Sequence, residues 1–414
     1  MCMANDFFEV RASRNTLEIF GDLRLSTLDE LTSSLHRLAV EARYPDIILN
    51  FRNLQPLTTS VIPPLAAYLR YLTKNYKVEY SYLAPFNNVL EARIKNTGLG
   101  HYIDFRRFEK PKIRSAKPAL MQYSNVEECD QVSDVIVNHV LRTANLDRKK
   151  LAALEWSINE ITDNVLNHAH SSVGGFAIYH KIPKTNIVEF TVADCGIGVG
   201  NSLGIKDDRE AVEKAIQEGV TRDNSTNQGN GLYGSYALSC GSNGLFTLRS
   251  KRGNLYVTKD GETHSRLAPI PFQGTIVVCQ IDCDQPDLIE RSFLFNGKSH
   301  VPAYDYLERI HEGSSQDVSI KASHICPTFG SRESGKEARN YISNVINSME
   351  GSRLSIDFEG ISVISSSFAD EVFAKLFVEL GAMKFMRLIH LKNSNSTIEA
   401  LVDRAIMLRS KTGL

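Results

Sequence analysis

One stretch of the chain occurs twice. DIILNFRNLQPLTTSVIPPLAAYL, from Asp46, lies without a gap over RLSIDFEGISVISSSFADEVFAKL, from Arg353. Apolar positions coincide: Ile47 with Leu354, Phe51 with Phe358, Leu57 with Ile364, Leu65 with Val372, Leu69 with Leu376. Around each copy the same order of elements is predicted. In the first it is strand Leu17–Phe20, helix Leu28–Ala42, strand Ile47–Phe51, helix Ser60–Thr73, strand Val78–Leu83 and helix Asn88–Thr97. In the second it is strand Val318–Lys321, helix Lys336–Met349, strand Leu354–Phe358, helix Phe368–Leu380, strand Leu388–Leu391 and helix Thr397–Leu408. Short β-branched runs alternating with amphipathic stretches, repeated in one order, imply two copies of one α/β fold. Pro63 and Pro64 fit the first turn of a helix, where missing N–H groups cost little.

Both copies carry three hydroxyls where strand gives way to helix: Thr58-Thr59-Ser60 and Ser365-Ser366-Ser367. Such residues either cap a helix, accepting its free N–H groups, or accept a phosphate there.

The chain has 414 residues, and at roughly 150 residues per domain it has room for about three domains. Lys and Arg number 47 against 48 Asp and Glu, so no global basic field points to nucleic acid or membrane. No apolar run approaches the ~20 residues of a membrane helix, and Asp6, Glu9 and Arg11 precede any apolar stretch, so no secretory leader is expected. Seven cysteines with no C-x-x-C fit a reducing, cytoplasmic setting. Cys279 and Cys283 lack a second ligand pair and read as core thiols. The basic, Pro-bearing run Arg106–Pro118 and the patternless stretch Phe293–Ser315 read as linkers. The expected domains are therefore 1–117 (with its basic linker), 118–292, a linker 293–316, and 317–414.

The middle region carries the chemistry. In LAALEWSINEITDNVLNHAHSS, from Leu151, helical spacing puts Leu154, Ile158, Ile161 and Val165 on one stripe. Glu155, Asn159, Asp163 and Asn167 are expected opposite it, on a solvated face. Glu160, Asn164 and His168 line one border of the stripe, beside the small Ala153 and Ser157. Further on, strand Val188–Ala193 ends in Asp194-Cys195-Gly196-Ile197-Gly198, an acid followed by glycines that let a ligand come close to the backbone. A carboxylate there can accept from an exocyclic amine such as adenine's. Then Gly229-Asn230-Gly231-Leu232-x-Gly234 runs into a helical pattern, presenting N–H groups suited to phosphate. Neither a Walker A loop nor a Rossmann fingerprint fits. Gly274-Thr275 opens a last strand.

In order and spacing, Glu160-x-x-x-Asn164-x-x-x-His168, Asp194-x-Gly196-x-Gly198, Gly229-x-Gly231-x-x-Gly234 and Gly274-Thr275 resemble the N, G1, G2 and G3 boxes of the GHKL ATPase superfamily. The E-x-x-x-N-x-x-x-H form is most similar to the anti-sigma serine kinases of bacterial partner switching. The flanking regions resemble STAS domains, and DFEGISVISSSFADE is similar to the STAS-like domains attached to bacterial ATP-binding proteins. The implied architecture is an α/β protein of three domains, a GHKL (Bergerat) α/β sandwich between two STAS-like βα domains. The implied cofactors are ATP and Mg²⁺. Glu160 would be the general base, Asn164 the Mg²⁺ ligand and Asp194 the adenine acceptor. Gly229, Asn230, Gly231, Leu232 and Gly234 would surround the phosphates, with His168 on the phosphate side. Gly196 and Gly198 would admit the base, Thr275 would support it, and Ser202–Asn227 would form the lid. The implied function is an ATP-dependent switch or anti-sigma-type serine/threonine kinase. The alternative is a non-enzymatic nucleotide-sensing interaction module. The expected partner is a STAS or anti-sigma-type regulatory protein, with a homodimer compatible and no nucleic acid or membrane. Family acceptor residues follow an Asp; here Thr58 and Ser365 stand at that position, which favours capping over phosphorylation at Thr59 and Ser366.

Overall fold

The structure, a computed structural model, describes residues 7–111, 119–220, 231–258, 260–295, 298–299, 317–349 and 351–412. It is a mixed α/β chain that divides into two compact units. The first comprises 1–136 and 157–300, the second 137–156 and 301–414.

The first unit opens on an antiparallel pair, β1 (Phe8–Ser13) and β2 (Thr16–Leu23). The β1 strand has no counterpart in the sequence expectation, although FEVRAS alternates apolar Phe8, Val10 and Ala12 with polar Glu9, Arg11 and Ser13. Next to β2 lie β3 (Asp46–Asn50) and β5 (Glu79–Leu83), all three parallel, while β4 (Leu54–Leu57) pairs with β2. The Leu28–His36 helix continues through a π-type turn, Arg37–Glu41, in place of regular helix to Ala42. The Ile62–Tyr76 helix begins on its two prolines and stops at Lys77 in the left-handed region, φ 60°. Residues 62–69 of this helix are all buried. One face covers its own sheet and another meets the second sheet of the unit.

That second sheet is antiparallel, in the order β6 (Met121–Tyr123), β7 (Gly175–Lys181), β8 (Ile187–Asp194), β10 (Thr263–Asp282), β9 (Phe246–Val257). Val173, Phe176, Ile178, Ala193, Phe272, Ile276 and Val278 share one continuous core with Leu65, Leu69 and Leu72. Rings of Tyr68 and Phe272 lie 6.2 Å apart, and those of Tyr102 and Phe176 5.3 Å apart. Lys74 donates to the Ser172 carbonyl, and Arg249 pairs with Asp29. The start of the basic run is held on the surface: Arg106 pairs with Glu79 at 2.7 Å and Arg107 with Glu91 at 3.1 Å. Residues 112–118 lie outside the described residues. A short hairpin, β11 (Leu294–Phe295) and β12 (Lys298–Ser299), follows the second sheet in sequence.

In the second unit, β13 (Asp317–Lys321), β14 (Arg353–Asp357) and β15 (Ile389–Lys392) are parallel with β14 central. In the first unit β3 is likewise central between parallel β2 and β5, and every apolar pair aligned by the repeat is buried in both copies. The Arg332–Ser348 helix, capped by Ser331, and the Ser396–Thr412 helix accompany this sheet. Asn344 is buried and spends its amide on backbone of the same unit: it donates to the Leu141 and Ala144 carbonyls at 2.8 and 2.7 Å and accepts from Leu146 N–H at 3.0 Å.

The aligned hydroxyl triplets differ in detail. Ser365, not Ser366, is the cap, its Oγ accepting from the Phe368 N–H at 3.0 Å. In the other copy Thr58 makes no cap hydrogen bond, and Thr59 is buried with its Oγ1 accepting from Arg93 at 2.6 Å. Capping therefore holds for the second triplet and not the first, where a short 3₁₀ turn, Thr59–Val61, starts before the helix proper.

Candidate functional site

Glu160 and Asn164 lie on the last turn and a half of the Arg148–Asn164 helix, and His168 follows on a π-type turn, Val165–Ala169. Leu154, Ile158, Ile161 and Val165 are buried, as their spacing requires. The opposite face is not uniformly solvated: Glu155 is buried, because residues 151–155 are enclosed on every side. Asp163 and Asn167 are exposed. Small residues on the flank matter. Ser157 is fully buried and donates to Ser235 Oγ at 2.7 Å, while Ser235 also donates to the Gly231 carbonyl at 3.0 Å. These bonds fix the Gly231–Gly241 helix against the Glu160 helix.

The fit is close at Gly231. A Cβ built there would lie 2.1 Å from Glu160 Oε2, so only glycine allows the carboxylate its position. Burial, and then the nearby Asp163, raise the Glu160 pKa above the ordinary range.

At the other end, the Ile197 N–H donates to the Ala169 carbonyl at 2.8 Å, joining the turn after β8 to the end of the His168 turn. Gly196 is pressed against the same carbonyl; a Cβ would stand 2.0 Å from it. Asp194 ends β8 and is 3% exposed. Its Oδ1 accepts from the Gly196 N–H at 2.7 Å, and the Thr275 N–H supports it from the neighbouring strand. Loss of water outweighs these bonds, and the Asp194 pKa is pushed up to about 7. Gly274, at φ +104°, lets β10 pass the Asp194 carbonyl, which a Cβ would approach to 2.1 Å.

The structure thus brings Glu160, Gly231, Leu232 and Gly234 together on one pair of helices. It gathers Asp194, Gly196, Gly198, Gly274 and Thr275 where the end of β8 meets the middle of β10, with Asn164 and His168 on the segment that links the two groups. Gly229, Asn230 and the 221–227 part of the expected lid lie outside the described residues. The described part of the lid contains a helix, Asp208–Ala215, capped by Asp207.

Three residues at the Asp194 end carry no motif. Ser250 Oγ accepts from the Val199 N–H at 2.8 Å and donates to the Gly274 carbonyl at 3.2 Å. Gln273 donates to the Gly196 carbonyl at 2.9 Å, and Lys251 donates to Gln273 at 3.1 Å. Gln273 adjoins Gly274, but nothing in the sequence marks the other two. Among the described residues no group of three or more His, Cys, Asp or Glu could hold a metal ion. No described helix is long and apolar enough to cross a membrane.

Residues 334–399 match the family model described as a STAS-like domain of unknown function (DUF4325). The C-terminal region therefore carries a STAS-like domain, the part of the second unit built on β14. No curated protein and no solved structure matches the chain.

Proposed function

We propose that the first unit binds ATP with Mg²⁺ as a GHKL-type domain, and that the chain is a nucleotide-dependent regulator acting through STAS-like domains, the N-terminal copy included. The observation that carries this reading is the Asp194 turn. A buried carboxylate accepts from backbone N–H groups, and Gly196, Gly198 and Gly274 let the Ala169 carbonyl, Ser250 Oγ and the Asp194 carbonyl come close where any Cβ would collide. An adenine amine suits that carboxylate, since a buried acceptor needs a donor. The donor set also suits a phosphate-bound Mg²⁺. Asn164 offers one amide oxygen, and among the described residues no group of three or more His, Cys, Asp or Glu accompanies it, so phosphate and water oxygens would complete the shell. Bound there, Mg²⁺ would supply charge neutralisation of the phosphates.

Within this reading Glu160 holds the proton taken from the attacking hydroxyl or water. Its raised pKa suits a base that must later give the proton up. A protein serine/threonine kinase is the favoured activity, and occupancy-driven switching without turnover is its rival. Incubating the purified chain with γ-labelled ATP separates them. Label on protein supports the kinase and free phosphate an ATPase. Tight binding with neither leaves the switch, and absence of adenine-nucleotide binding overturns the proposal.

A further inference from the structure

Lys251 sits in β9 with φ +52°, a left-handed conformation rare for a side chain of this length and foreign to a strand. The cause is visible in the ladder. Ser250 is opposite Thr275 and Lys251 is opposite Phe272, so Gln273 and Gly274 are looped out of β10 between two consecutive partners. Bulges of this kind re-aim side chains. Here the Lys251 stem runs along the bare face of Gly198, whose built Cβ would stand 3.1 Å from Lys251 Cγ and 3.2 Å from Cε. The ammonium donates to Gln273, which in turn holds the Gly196 carbonyl. Lys251 and Asp194 feel each other's charge, and Asp208 also faces the ammonium. A solvent-facing lysine would need neither the strained backbone nor partial burial, which lowers its pKa.

Resting on the nucleotide reading above, we infer that Lys251 reads the base: its ammonium donates to a purine ring nitrogen next to the exocyclic amine that Asp194 accepts. One bond to Gln273 leaves two ammonium N–H groups for a ligand.

The test pairs protein and ligand changes. Binding of ATP, 1-deaza-ATP and 7-deaza-ATP is measured on the full chain and on Lys251→Met. The wild type should bind one of the two deaza analogues at least tenfold more weakly than ATP, in line with a charge-assisted hydrogen bond. Lys251→Met should weaken ATP about as much and abolish the difference between ATP and that analogue. Lys251→Gly separates binding from structure, because glycine accepts φ +52° without strain. It should melt no lower than the wild type yet bind ATP as weakly as Lys251→Met. The inference is overturned if Lys251→Met binds ATP like the wild type, if the wild type does not distinguish either deaza analogue, or if the penalty persists in the variant. A wild type that binds ATP while failing these tests leaves the nucleotide reading standing. A wild type that binds no adenine nucleotide overturns both.

Discussion

Asp194 is the residue on which the site depends most, and its protonation gives a direct test. The folded chain holds its pKa at about 7 against an ordinary 3.8. Between those values the folded state binds the extra proton, so stability from this group is full below about 4 and is lost as pH rises toward 7. In Asp194→Asn that part of the pH dependence should vanish, flattening the profile of unfolding free energy between pH 4 and 7 by an amount on the order of a few kcal/mol, as denaturant titrations across that range would read. The same variant should lose discrimination of ATP from GTP, because an amide can turn a donor toward the base. An unchanged pH profile together with unchanged nucleotide preference refutes the assignment.

Glu160 and Gly231 make a second pair of tests. Glu160→Gln should keep ATP and lose turnover by about 10²–10⁴-fold. Gly231→Ala should do likewise without touching a charge. Its Cβ would push the Glu160 carboxylate aside and press on Glu160 Cβ at 3.1 Å, so the two helices must give slightly, which offsets the gain of up to about 1 kcal/mol that alanine brings over glycine in a helix. Thermal melts beside single-turnover assays check this; a folded Gly231→Ala with full turnover contradicts the base assignment. The pairing of Glu160 with Gly231 was not legible in the sequence, where 70 residues separate them and each belongs to a weak motif. Only packing of two helices through Ser157 and Ser235 brings them together.

At the scale of elements, most strands and helices were legible because their apolar periods are regular. The misses have physical causes. Short strands such as β4 and β6 span too few residues for alternation to show. The bulge at Lys251 is a property of the ladder and not of either strand alone. Helices that read as regular contain π-type turns at Arg37–Glu41, Val165–Ala169 and Asp370–Ala374, which no period of 3.6 reveals. The hydroxyl triplets show how identical sequence signals diverge. Ser365→Ala removes a real cap and should cost about 0.5–2 kcal/mol. Thr58 Oγ1 is buried with no hydrogen-bond partner among the described residues. Thr58→Val should therefore be neutral or stabilising, since an unsatisfied hydroxyl is exchanged for a methyl of the same shape. Denaturant titrations of both variants decide, and equal losses would show that the two triplets do the same work.

At the scale of the molecule, the N-terminal α/β region and the sheet β6–β10 are bound more tightly than two domains joined by a linker would be. Their cores are continuous, and the Asp29–Arg249 pair crosses between them with side chains only 16% and 6% exposed. Burial raises the Asp29 pKa despite the attraction of Arg249 and Arg266, so loss of water costs the Asp29 carboxylate more than those charges return. Arg249 also leaves its Nε without a hydrogen-bond partner among the described residues, while its guanidinium lies 5.9 Å from the Phe272 ring. Such a pair fixes how the two regions dock more than it stabilises them. Removing one partner should strand the other: Arg249→Met alone is expected to cost about 3–5 kcal/mol, whereas the double change Asp29→Leu with Arg249→Met should recover most of that loss. Because the core is shared, Arg249→Met should also speed amide exchange on both sides at once, in β3 and the Ile62–Tyr76 helix as well as in β8 and β10. Ser250 follows Arg249 directly and holds the Val199 N–H and the Gly274 carbonyl, so the same variant should loosen the Asp194 turn and weaken ATP binding. Exchange that quickens only in 7–111, with ATP affinity unchanged, would mean that the N-terminal region is a passenger on this face and not part of the framework that holds the site.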